Sequence, residues 1–284
     1  MPPVDWSAYV PSDAELRATL AAGRGATLLR SAWRQRATGR VAFEEGDFAG
    51  AERSYSEELR HLRVLAGLRV GYSHDDARAA LASDHGGRFW AMVDACRNVA
   101  ASADRARHLR VAVDAWDEES RLLRPLAGLP ESPSNDDVRA ALDASLFTAV
   151  VDLAVAHGRV GMEAGHLHEF DRAAEGLERA LQVEAVLAGL PDAFEDKDFA
   201  AEPVSDRLPV FRGLTTLYAH VWFAGGRSQS DSRRRVALRL GVAVLPASEG
   251  PAPWNARRGC LEALYEILNS GIDADECARI AAQL

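Results

Sequence analysis

The 284-residue chain has little lysine, cysteine or methionine, no long apolar run, and no segment of period-two alternation. Lys197 is the only lysine among 33 basic residues. Usage this rich in Arg and Ala reflects a GC-rich genome most simply, so abundant arginine by itself points to no function. The three cysteines, Cys96, Cys260 and Cys277, are odd in number and scattered. They offer neither a disulfide framework nor a zinc spacing, which fits a reducing, cytoplasmic setting. The opening Met1-Pro2-Pro3-Val4-Asp5-Trp6 lacks the basic start and apolar core of a signal peptide. The longest apolar stretch, Leu146 to Ala156, is interrupted by Asp152 and is too short for a bilayer, so no membrane is expected as partner. Without alternation there is no strand signal, and the chain reads as all-α. No Gly-rich nucleotide loop before a strand, nucleophile elbow or catalytic cysteine context occurs. No catalytic residue, cofactor or metal is therefore expected.

What the chain does contain is a recurring string. Leu-Ala-Gly-Leu stands at 65–68, 126–129 and 187–190, a period of 61. Ser12, Ser73 and Ser134 keep the same period, each followed three places later by an acid (Glu15, Asp76, Asp137). Two landmarks of different chemistry in one register indicate an internal repeat. The serines read as helix N-caps: Ser12 and Glu15 form a capping box, and the Asp versions are weaker. The glycines read as left-handed residues just past a helix end, a conformation that costs glycine little because it has no Cβ. Between these marks Asp75 to Leu81 aligns with Asp136 to Leu142, and Tyr55, Trp116 and Leu177 share one column.

The predicted architecture is three tandem three-helix copies, about 12–68, 73–129 and 134–190, stacked as a short curved α-solenoid. Residues 1–194 carry the copies, and 195–284 read as a degenerate fourth copy and helical cap continuous with them, because a repeat array must cover its open end. The second helices are expected to bury Leu28, Leu29, Ala32, Trp33 and Val41 in the first copy. Phe89, Trp90, Val93 and Cys96 take that place in the second, and Phe147, Val150, Val151 and Ala154 in the third.

Gly39, Gly46-Asp47-Phe48, Ala51 and Tyr55 together resemble a tetratricopeptide repeat. Gly158, Phe170, Ala173 and Leu177 echo the pattern, with three extra residues between Gly158 and Phe170. The period of 61 departs from the roughly 34 residues of that family, and the added short helix makes a three-helix unit. The resemblance implies a scaffold whose groove binds protein segments, and nothing catalytic.

Several polar groups merit weighing as sites. His157, His166, His168 and Glu169 could supply a facial set of metal ligands. Their spacing matches no zinc motif, and Gly165 to Phe170, which carry His166, His168 and Glu169, read as a polar inter-helix turn in the three-residue insertion. Arg227, Arg233, Arg234 and Arg235, near Gly225 and Gly226, could cradle an anion at a helix start, but a solvated helix face is the simpler reading. Arg17, Arg78 and Arg139 recur at the period beside Glu15, Asp76 and Asp137 and read as structural ion pairs. The partner-binding surface is assigned to the polar faces of the second helices: Arg34 and Arg40 (with Arg30), Asp94 and Arg97, Asp152 and Arg159. Several arginines on one surface favour a carboxylate-bearing segment.

Residues 201–284 carry 10 Arg and 9 acids, a net of +1, leaving 23 basic against 33 acidic groups in residues 1–200, a net of −10. The acidic copies argue against nucleic acid as ligand. The expected function is a cytoplasmic, non-catalytic protein-interaction scaffold or adaptor with a protein partner. The alternatives are a bacterial immunity protein masking a basic toxin, drawn to it by electrostatic steering, and a metal-dependent enzyme built on the His157 to Glu169 region.

Overall fold

The computed structural model describes residues 11–83 and 87–189. The C-terminal helices read from the sequence, the expected boundary at 194, and Arg227, Arg233, Arg234 and Arg235 lie outside the described residues. The described residues are all-helical, in nine helices with no strand: α1 (Asp13–Ala21), α2 (Gly25–Glu44), α3 (Phe48–Leu65), α4 (His74–Ser83), α5 (Gly87–Arg105), α6 (Leu109–Leu126), α7 (Asn135–Asp143), α8 (Phe147–His166) and α9 (Phe170–Leu187). No described helix is long and apolar enough to cross a membrane. The starts of α1, α4 and α7 fall 61 residues apart, as do those of α3, α6 and α9.

The helix boundaries follow the local chemistry. Ser12 accepts from the Glu15 N–H while Glu15 receives the Ser12 N–H, a reciprocal capping box. Ser73 with Asp76 and Ser134 with Asp137 make the same two bonds, so aspartate closes the box as fully as glutamate does. Ser134→Ala is expected to cost about 1 kcal/mol, the usual loss for an N-cap, read as a shift of the urea midpoint. Gly67, Gly128 and Gly189 adopt φ of 74°, 68° and 73° just past α3, α6 and α9. A second left-handed position is less tidy: Gly46, Arg107 and His168 share it at φ 82°, 64° and 58°. The turn geometry therefore persists where the glycine does not.

The chain divides into two compact units, Met1–Glu131 and Ser132–Leu284. In the first, α2 pairs with α3 and α5 with α6, and α5 packs on α3. Its core includes Ala51, Tyr55, Val99, Ala100 and Ala115, flanked by Phe43 and Trp116. Arg60 of α3 ties down the chain entering α1, donating to Asp13 at 2.5 Å, to Glu57 and to the Pro11 carbonyl. His61 links the paired helices: its Nδ1 lies 2.6 Å from the Glu57 carbonyl and its Nε2 3.2 Å from the Ser31 hydroxyl. In the described part of the second unit, α8 and α9 pack closely along their lengths and α7 rests on both.

The structure corrects two expectations. Trp33 and Val41 of α2 and Phe147 of α8 are exposed, although helical spacing put them on buried stripes. Spacing locates a residue on the wheel, but the width of the covered arc depends on the neighbouring helices. There is also no three-residue insertion in the third copy: α8 and α2 are both 20 residues long, and α8 continues through His166. Gly161, nine residues before Phe170, faces Leu177 as Gly39, nine before Phe48, faces Tyr55. Arg17 donates to the Leu68 carbonyl at 3.4 Å, and Arg139 pairs with its helix neighbour Asp136 at 2.8 Å.

Candidate functional site

In the first unit one arginine side chain of α2 reaches both α3 and α5. Arg36 of α2 donates through Nε to Glu58 of α3 at 2.6 Å and through Nη2 to the Ala91 carbonyl of α5 at 3.4 Å. Sixty-one residues later the arrangement recurs: Arg97 of α5 donates through Nε to Glu119 of α6, again at 2.6 Å. Both glutamates are buried, whereas the arginine side chains remain 41% and 35% exposed. A buried carboxylate is unfavourable unless a partner compensates it, so each arginine here serves the fold before it can serve a ligand. The third copy has Gly158 and Ala180 at these positions.

The expected partner-binding residues divide accordingly. Arg97 is committed to Glu119. Arg34 and Arg40 are exposed on α2, and Arg40 meets only the exposed Glu44 of its own helix, at 3.8 Å. Asp94 is exposed on α5 and lies near enough to Glu58 to oppose its ionisation. In the second unit Asp152 is half-buried and Arg159 exposed, both on α8. The histidine set does not converge. His157 is buried within α8, His166 ends that helix with Nδ1 3.2 Å from Glu163, and His168 occupies the left-handed turn. Among the described residues no three His, Cys, Asp or Glu side chains are arranged to hold a metal. Cys96 is fully buried and its thiol is pushed well up by desolvation, which leaves it unreactive.

Sequence reasoning passed over Arg36, Glu58 and Glu119. The signal was present, since 36 and 97, and 58 and 119, share the period of 61. A charged column, however, reads as solvated surface until the helix pairing is known. Exposed apolar side chains are the other omission, three of which (Trp33, Val41 and Phe147) were expected in the core. Five large hydrophobic residues among those described are exposed: Trp33, Val41, Val70, Phe147 and Val155. All but Val70 lie on α2 or α8.

The carboxylates titrate in two groups. Burial raises Glu58 and Glu118 above the ordinary value of 4.5, and Arg36 and Arg63 offset only part of that. Asp13 is lowered below 3.8 by its bond from Arg60, Asp76 by the Ser73 backbone N–H, and Asp137 by the Ser134 hydroxyl. A raised folded-state value gives stability that is complete below the unfolded value and lost as pH rises through the folded one. A lowered value gives stability present above the unfolded value and lost as pH falls through the folded one. The urea midpoint is therefore expected to be higher near about pH 5 than at about pH 7.5, and to fall steeply below about pH 3.5. Glu58→Gln should flatten the neutral-side slope. A midpoint that rises from pH 5 to 7.5 would contradict this assignment.

Among the described residues, these features define an all-α protein in which Glu58 and Glu119 are buried and each held by an arginine, and in which four of the five exposed large apolar side chains lie on α2 or α8. Compared with protein-family models, with curated proteins and with solved structures, the chain matches none.

Proposed function

We propose that the protein is a non-catalytic scaffold of tetratricopeptide-like helical copies, working in the cytoplasm and holding a protein partner on its second helices. In this reading the period-61 copies stack as a short curved solenoid that presents α2, α5 and α8. The observation that carries the reading is the placement of exposed apolar side chains. Trp33 is 67% exposed and Val41 accompanies it on α2, while Phe147 and Val155 are exposed on α8. Exposed aromatic and aliphatic side chains beside arginine are the composition of interaction surfaces. The acidic body, net −9, would help orient a partner toward the local arginines.

The test is a pull-down from the native host with Arg40→Glu and Arg159→Glu combined, both at exposed positions. The double variant is expected to keep its circular dichroism spectrum and to lose partner recovery. A folded double variant that recovers the partner in full would show that this surface is not the site.

A further inference from the structure

We propose that the outward face of α2 docks an amphipathic helix whose apolar stripe is flanked by acidic residues. The inference rests on the reading of the second helices as an interaction surface and narrows it to one helix and one partner chemistry. Arg30, Trp33, Arg34, Ala37, Arg40 and Val41 are all exposed on α2. Their spacing puts them on one side of the helix, over about 17 Å at ~1.5 Å per residue. The opposite side is occupied by the core, where Leu28, Ala32 and Gly39 are buried.

Charge selects the partner. Three other arginines of this unit meet carboxylates: Arg36 holds Glu58, Arg60 holds Asp13 and Glu57, and Arg63 lies 3.8 Å from Glu118. On the outward face Arg30 reaches only the Thr27 hydroxyl at 3.3 Å, Arg40 meets the exposed Glu44, and Arg34 has no partner among the described residues. Three weakly compensated cations thus stand together on a chain of net charge −9. A basic partner, or the same face of a second copy, would be repelled. A wholly apolar partner would desolvate three guanidiniums and give nothing in exchange. Carboxylates on the partner answer both objections and match the guanidinium fork.

The shape of the face favours a helix over an extended strand. Trp33, Ala37 and Val41 stand at i, i+4 and i+8, a large-small-large ridge with a notch at Ala37. Ridges of this spacing receive side chains of a second helix at i, i+3, i+4 and i+7. The positions 61 residues later are Asp94, Asn98 and Ser102, with no apolar ridge, so the feature belongs to α2.

The experiment is a display selection of random 16-residue peptides on the full chain, followed by fluorescence anisotropy of the enriched sequences. Enriched peptides are expected to carry apolar residues at helical spacing with Asp or Glu on both flanks. Their affinity should fall roughly tenfold or more with Trp33→Ala or Arg34→Glu, fall similarly when the acids become Gln, and weaken with added salt. The proposal is overturned if no peptide enriches, if enriched peptides are neutral or basic, or if they bind both variants as tightly as the wild type. A 20-mer of oligothymidine binding more tightly than any enriched peptide would overturn it in favour of nucleic acid. The two readings separate cleanly. If the Arg40 and Arg159 variant loses the host partner while the peptide test fails, the scaffold stands and the acidic helix falls. If the host partner is retained while the peptide test succeeds, the second-helix surface is not that partner's site, and the acidic-helix docking face on α2 stands on the peptide data alone.

Discussion

Arg36→Ala is expected to lower the unfolding free energy by about 2–3 kcal/mol, far more than an ordinary surface substitution. Glu58 is 2% exposed and its carboxylate accepts from Arg36 at 2.6 Å. Removing the cation leaves a buried anion, and breaking a fully buried pair typically costs about 3–5 kcal/mol. Arg36 is itself 41% exposed, so water screens part of the interaction and the lower figure applies. The variant can also protonate Glu58, which caps the loss and should make it smaller at acidic pH. Glu58→Gln in the same background is expected to restore most of the stability, because a neutral amide has no charge left to strand. Arg34→Ala, on the exposed side of the same helix, should stay within about 0.5 kcal/mol of the wild type. Urea denaturation of the four members of the cycle measures the coupling. If Arg36→Ala costs no more than Arg34→Ala, the pair is a crossing of surface groups and not a structural link.

Gly176→Val is expected to cost about 3 kcal/mol. A Cβ at Gly176 of α9 would lie 2.8 Å from the Gly161 nitrogen, 3.0 Å from the His157 carbonyl oxygen and 3.1 Å from the Gly161 Cα of α8. All three are backbone atoms, which a rotamer change cannot move, so the helices themselves must separate. Alanine at this position sets two effects against each other. Helix propensity favours Ala over Gly by about 0.8–1.0 kcal/mol, and overpacking costs about 1–3 kcal/mol. The rigid neighbours decide for the clash, and Gly176→Ala should lose about 1 kcal/mol net. Gly87→Ala at the start of α5 supplies the contrast. Nothing lies within 4 Å of a Cβ there, so that change should be neutral or mildly stabilising. Equal thermal midpoints for Gly176→Val and the wild type would show that α8 and α9 do not approach as closely as described.

Gly176 also shows where sequence reading stops. Its partner Gly161 was passed over in favour of Gly158, because the short motif could be aligned with either glycine if an insertion was allowed. Only the equal lengths of α2 and α8 remove the insertion. The same ambiguity placed His166 in a loop, where the structure has it closing a helix.

What the sequence alone determined are the features written in local chemistry. The serine and acid three apart mark each short helix, because a capping box is made within four consecutive residues. The Leu-Ala-Gly-Leu strings mark helix ends, because a left-handed residue after the last turn is a property of a few adjacent positions. The absence of period-two alternation gave the all-helical class. What only the tertiary structure decided are the features that depend on which helix stands beside which. Arg36 and Arg97 are as hydrophilic as Arg34 and Arg40, and they became structural because α3 and α6 bring Glu58 and Glu119 within 2.6 Å. Trp33 is as apolar as Leu28 on the same helix, yet Leu28 is buried and Trp33 stands exposed. Hydrophobicity determines what a side chain gains by burial, but burial itself needs a neighbour, and no local pattern in the chain says on which side that neighbour will lie.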